Sequence, residues 1–184
     1  MADFTSREPP PRLTLAQLRE KVGEMSPMEP AKAFASPDEA LAISAGSLVE
    51  LTGSSPNEWL MRFFARHPQT AIAWLEPKLT LYPTAVRQRG VDLSRILFIE
   101  NEKELLWCLN QVVRSPLFSF IVTSGAILPR TRTDAFLRRL QISVERSGSC
   151  LFFVSERATV SFGIQYRIET SAGGASKILK RKRG

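Results

Sequence analysis

One histidine, two cysteines and no apolar run approaching a membrane span are the scarcities that bound this chain. A lone histidine leaves no second imidazole for a metal cluster, and the sequence shows no Cys–His arrangement of the kind nucleophilic catalysis uses. His67 stands beside Pro68 at the end of an expected helix and reads as a surface cap residue rather than a base. Cys108 and Cys150 sit in the apolar contexts WCL and SCLFF, without metal-ligand spacing. They read as buried thiols of a reducing compartment, with a disulfide as the lesser reading. The start, MADFTSREPPPRL, has no apolar core of a secretory signal, so a cytoplasmic location is expected. The positive charge is unevenly spread, and its densest acid-free run lies at the end. Residues 176–184, SKILKRKRG, hold Lys177, Lys180, Arg181, Lys182 and Arg183, five charges in a chain of formal net charge +7. The body is therefore close to neutral, and the high isoelectric point belongs mostly to the tail.

What is present is organised around Gly46 to Arg66, GSLVELTGSSPNEWLMRFFAR. Leu48 to Thr52 reads as a short apolar strand, Gly53 opens a turn, and Met61, Phe63 and Phe64 give the following helix an apolar face. Strand, turn and helix in that order are the layout of a phosphate-binding loop, G-x-x-x-x-G-K-[ST]. Gly53 matches its first glycine. Glu58 stands for the second glycine, Trp59 for the lysine and Leu60 for the magnesium-binding hydroxyl. Ser55-x-x-Glu58 with Pro56 between reads as a capping box. A fixed carboxylate is then expected at the helix N-terminus, where a triphosphate would meet like charge.

Residues 1–12, with Pro9 to Pro11, read as an extended arm. A helix is expected from about Leu15 to Met25, with Leu15, Leu18, Val22 and Met25 on one stripe. The proline-rich linker after it leaves that helix to fold back on the core or to dock on a partner. Further strands are expected at Thr70–Leu75, Arg95–Ile99, Phe118–Val122, Cys150–Val154 and within Val160–Ile168. Between them, helices are expected from Pro83 to Arg89, closed by Gly90, from Asn101 through Arg114, and over about Thr133–Arg146. Apolar strands alternating with helices predict an α/β fold: a mostly parallel sheet with helices on both faces, and an antiparallel edge where the last helices are missing. The organisation reads as an arm (1–39), a core (40–170) and a flexible basic tail (171–184).

In this order the elements resemble a RecA-fold domain over about residues 40–170. GSLVELTG is similar to the RecA phosphate-loop strand. WLEPKLTLYPTAVRQRGVDLSRILFIE is similar to the next RecA block, FSFIVTSGAIL to the Walker B strand, and CLFFVSERA to the strand carrying nucleotide-sensing residues. The resemblance places Thr123 at the Walker B aspartate, Lys78 (or Glu76, with a slip of register) at the water-activating glutamate, and Ser155 and Glu156 at the sensor pair. With Trp59 and Leu60, every position that ATPase chemistry needs has changed type. No catalytic residue, cofactor or metal is expected, and an ATPase has only the fold in its favour.

Two bacterial SOS-response families have this profile. ImuA is the RecA-like partner of a translesion-mutagenesis cassette with ImuB and a DnaE-type error-prone polymerase. SulA is the division inhibitor that binds FtsZ. GSLVELTG, VDLSRILFI and the cationic tail make the chain most similar to ImuA. That resemblance implies a non-catalytic, nucleoid-associated adaptor binding RecA, an ImuB-like protein or both, with self-association open and no membrane. The helix with Leu15, Leu18, Val22 and Met25 resembles in position the RecA helix that reaches a neighbouring subunit. Lys177, Lys180, Arg181, Lys182 and Arg183 are the candidate DNA contacts, with an acidic protein or a solubilising role as the other readings.

Overall fold

Runs that are apolar at every position need cover on both faces, and this chain supplies it by alternating strands with helices. The structure, a computed structural model, describes residues 33–38, 41–129, 131, 133–159, 161–172 and 175–180. In chain order its elements are β1 (Ala33–Ala35), β2 (Ala42–Ser44), β3 (Leu48–Gly53), α1 (Pro56–Ala65), β4 (Ile72–Glu76), α2 (Pro83–Gln88) and β5 (Ile96–Glu100). There follow α3 (Leu105–Val112), β6 (Phe120–Ser124), α4 (Thr133–Ser147), β7 (Cys150–Val154), β8 (Tyr166–Thr170) and β9 (Ser176–Lys180). β1 and β2 form a small hairpin, and the other seven strands form one sheet in the order β5-β4-β6-β7-β3-β8-β9. Within that sheet only β8 and β9 run antiparallel. The architecture is an α/β sheet compatible with the RecA-like fold read from the sequence.

Side-chain alternation sorts the core into two layers. Val49, Leu51, Trp74, Phe120 and Phe152 face α1 and α2, where Trp59, Leu60, Phe63, Phe64 and Val86 are buried. Leu48, Ala73, Ile121, Leu151 and Phe153 face α3 and α4, against Leu105, Leu109, Leu137, Leu140 and Val144. Each fully buried large side chain contributes about 1.5–3 kcal/mol, so both layers are substantial.

Several boundaries differ from the expectation. Phe34 and Ile43 of the hairpin are buried against the α1 layer, so part of the expected arm and linker belongs to the folded body. Ser176 to Lys180, expected in the flexible tail, pairs with β8: Ile178 packs on the core while β8 offers its free edge. The strand expected within Val160–Ile168 is Tyr166–Thr170, because Ser161 to Gln165 cross to the far side of β3; Ile164 is buried on the way. β6 begins at Phe120 and includes Thr123 and Ser124. Asn101 accepts from the amides of Lys103 and Glu104, but those residues make a turn and α3 starts only at Leu105. The helix expected at residues 15–25, with Leu15, Leu18, Val22 and Met25, lies outside the described residues, as do Arg181, Lys182 and Arg183.

His67 is not a surface cap. Its half-buried ring meets Phe34, Phe63 and Phe120 edge-on, and Nε2 lies 3.0 Å from the Ala35 carbonyl. Burial, the largest cause, lowers its pKa; the Ala35 carbonyl opposes this, and Arg95 and Arg66 add to the lowering. The unfolded ring therefore takes up a proton first. Stability is complete above about pH 6.5 and falls as the pH drops through that value. In His67→Gln, the dependence of melting temperature on pH between about 7 and 5.5 should flatten. An unchanged slope would assign it to other groups.

Candidate functional site at the carboxyl ends of the strands

In a parallel α/β sheet ligands are received at the carboxyl ends of the strands, so the altered positions are best judged there. Gly53 ends β3 with φ of 96°, and a Cβ would come within 2.0 Å of the Thr170 carbonyl oxygen. The neighbouring strand, rather than a phosphate, requires this glycine. Thr170 also engages the loop amides. Its carbonyl accepts from Ser54 N at 3.0 Å and its Oγ1 from Ser55 N at 3.3 Å. In a phosphate loop such amides would point at a ligand.

The start of α1 differs from the expected capping box. Ser55 makes no side-chain cap, and its amide donates to Thr170 of β8 rather than to Glu58. Glu58 instead forms an ion pair with Arg89, which follows α2. The carboxylate still lies in the first turn of α1, as anticipated, but a cation from the α2 segment fixes it there. Trp59 and Leu60 point into the core and are fully buried. The Trp59 ring stacks on Phe63 with centroids 5.2 Å apart, and its Nε1 donates to Asp38 at 3.1 Å. Neither residue reaches the place where a lysine and a hydroxyl would meet a nucleotide.

Along the other strand ends, Glu76 folds back to accept from Thr80 N at 2.8 Å, and Glu100 accepts from Leu79 N at 3.0 Å. These bonds close the turn that carries Lys78, which points to solvent. Thr123 on β6 and Ser155, just past the end of β7, are buried, and their hydroxyls find no partner among the described residues. A Cβ at Gly125 would come within 1.9 Å of Ser155 Oγ, so the turn after β6 closes over that hydroxyl. Glu156 is exposed. The structure thus gathers Gly53, Thr123 and Ser155 at one edge, buries Trp59 and Leu60 in the layer beneath, and leaves Lys78 outside.

His67 and Cys150 both lie at the opposite, amino edge, and burial pushes the Cys150 thiol up to about 12. Among the described residues no group of His, Cys, Asp or Glu is arranged to hold a metal ion, and no helix is long and apolar enough to cross a membrane. Of the cationic candidates, Lys177 is exposed on β9, while Lys180 donates to the Phe162 carbonyl at 3.2 Å. Burial, then the nearby Arg167, lowers the Lys180 pKa, with Glu50 opposing.

Two buried charges escaped the sequence reading. Arg95, expected only as the first residue of a strand, caps α1 by donating to the carbonyls of Phe64 and His67, both at 2.6 Å. Glu50, in the middle of β3, accepts from Thr159 N at 2.9 Å and from Arg167 Nε at 2.7 Å. Arg167 donates also to the Thr159 carbonyl. A glutamate inside an otherwise apolar strand was the available signal. Its partners are 109 and 117 residues away in sequence, so spacing could not name them. No protein-family model and no curated protein matches the chain.

Proposed function

We propose that this chain is a non-catalytic RecA-like accessory protein of the bacterial SOS response. Its role is that of an ImuA-like adaptor in error-prone translesion synthesis, binding RecA, an ImuB-type partner or both beside DNA. The observation that supports this reading most is the engagement of the degenerate phosphate loop by the protein itself. Thr170 holds the Ser54 and Ser55 amides, Arg89 holds Glu58, and Trp59 and Leu60 belong to the core. A fold that has filled its nucleotide place and kept a full sheet retains its outer surfaces as the means of action.

The test is co-purification of the full chain against RecA, an ImuB-like protein and FtsZ in parallel, with calorimetry against ATP and magnesium alongside. Capture of RecA or the ImuB-like protein without ATP binding is the expected result. Deleting residues 1–30 should weaken RecA capture if the helix with Leu15, Leu18, Val22 and Met25 docks there. Capture of FtsZ alone would transfer the reading to a SulA-like inhibitor. Micromolar ATP binding would overturn it altogether.

A further inference from the structure

The α3 and α4 helices leave between their C-terminal ends a cleft of about 420 Å³ lined by Arg114, Pro116, Ser143, Arg146 and Ser147. It lies at the amino edge of the sheet, opposite the altered nucleotide place. Arg139 stands one turn before Ser143 on α4, and Trp107 lies on α3, seven residues before Arg114, which follows the end of that helix at Val112. None of Arg114, Arg138, Arg139 and Arg146 has an ion-pair partner among the described residues. The acids of α4 are otherwise engaged. Asp134 accepts from Ser161 at 2.5 Å, and Glu145 accepts from Gln141 at 2.8 Å on the flank facing Gly46. Trp107 is 61% exposed, while Trp59 and Trp74 are buried at 0% and 1%.

We propose that the α3–α4 face binds a single-stranded polynucleotide, with phosphates at Arg114 and Arg146 in the cleft and a base against Trp107. Arginines flanking a groove, with one exposed indole on the helix that leads into it, supply the two terms of such binding: counterion release and base stacking. Helix dipoles account for Arg114 and Arg146 at the helix ends, but not for Arg138 and Arg139 in mid-helix. An acidic peptide would use the cations and leave the indole without a ring to stack on. The proposal goes beyond the adaptor reading: a chain that captures RecA but leaves this face empty keeps that reading and loses this one.

The probe is oligothymidylate titrated into the full chain, read by the fluorescence of Trp107, the one tryptophan that solvent reaches. Quenching is expected. Arg114→Gln/Arg146→Gln should lower affinity roughly tenfold and reduce the salt slope by about 1.4, the share of two phosphate contacts on a single strand. Arg114→Glu/Arg146→Glu should lower affinity further, with circular dichroism confirming that either variant is folded. Neutralising Arg181, Lys182 and Arg183 should leave the quenching in place. No quenching, unchanged affinity in both double variants, quenching lost with the tail alone, or equal quenching by polyglutamate would each overturn the proposal.

Discussion

Glu50→Ala should destabilise the protein by about 3–5 kcal/mol, the cost of removing one member of a buried ion pair. The carboxylate is fully buried, and three groups depend on it or on its partner: Arg167, the Thr159 amide and, through Arg167, the Thr159 carbonyl. Truncation leaves a guanidinium that is 18% exposed without its counter-charge. It also strips the Thr159 amide of its acceptor, which costs about 1–3 kcal/mol within that total. The loss should be localised as well as global. Residues 155–159 and 161–165 lead from the carboxyl end of β7 to the amino end of β8, and this cluster ties Thr159 to β3 between the bonds that Ser155 makes to Leu51 and Gln165 to Leu48. Amide exchange there should accelerate more than in β4 or β6. Because a buried pair contributes little relative to a well-packed apolar substitute, Glu50→Leu/Arg167→Leu should recover much of what Glu50→Ala loses. Denaturant titration decides the matter, and a loss below about 1 kcal/mol would class the pair with surface ion pairs.

Introducing the phosphate-loop residue types should destabilise the protein without producing nucleotide binding. Trp59→Lys/Leu60→Thr removes a fully buried indole that stacks on Phe63 and approaches Phe152, together with a fully buried leucine. Large-to-small changes at such sites cost about 3–5 kcal/mol for tryptophan alone. The new ammonium would lie within an aromatic cluster that offers it no carboxylate except Asp38, now the acceptor for the indole N–H. The combined cost approaches the whole stability of a domain, about 5–15 kcal/mol. The melting temperature should therefore fall by about 10 °C or more. Calorimetry with ATP and magnesium should show no binding, since Thr170 still holds the loop amides and Glu58 still stands at the helix start. A folded variant that bound ATP in the micromolar range would mean that the altered residue types alone had closed the site.

Much of this fold could be read directly from residue order. The strands at Leu48, Ile72, Ile96 and Cys150 are apolar at almost every position, and α4 has an unbroken 3.6-residue period, so local pattern and final burial coincide. The helical turn closed by Gly90, with φ of 77°, was equally plain because only the local backbone is involved. β1 and β9 were not legible, since three alternating residues and a lysine-rich segment become strands only when β2 and β8 offer an edge. At the turn between β3 and α1, the sequence showed how Gly53, Glu58, Trp59 and Leu60 differ from a phosphate loop. It did not show what those residues and the loop amides contact instead.

The sequence by itself determined the α/β class, the near-neutral body with its basic end, and a strand–turn–helix that lacks the lysine and hydroxyl of a phosphate loop. Those are properties of composition and short-range periodicity. Tertiary structure alone decided that Thr170 holds the loop amides, that Arg89 holds Glu58, and that Trp59 belongs to the core. Thr170 comes from a strand more than a hundred residues away, and only the pairing of β8 beside β3 brings it to the glycine whose missing side chain makes room for it.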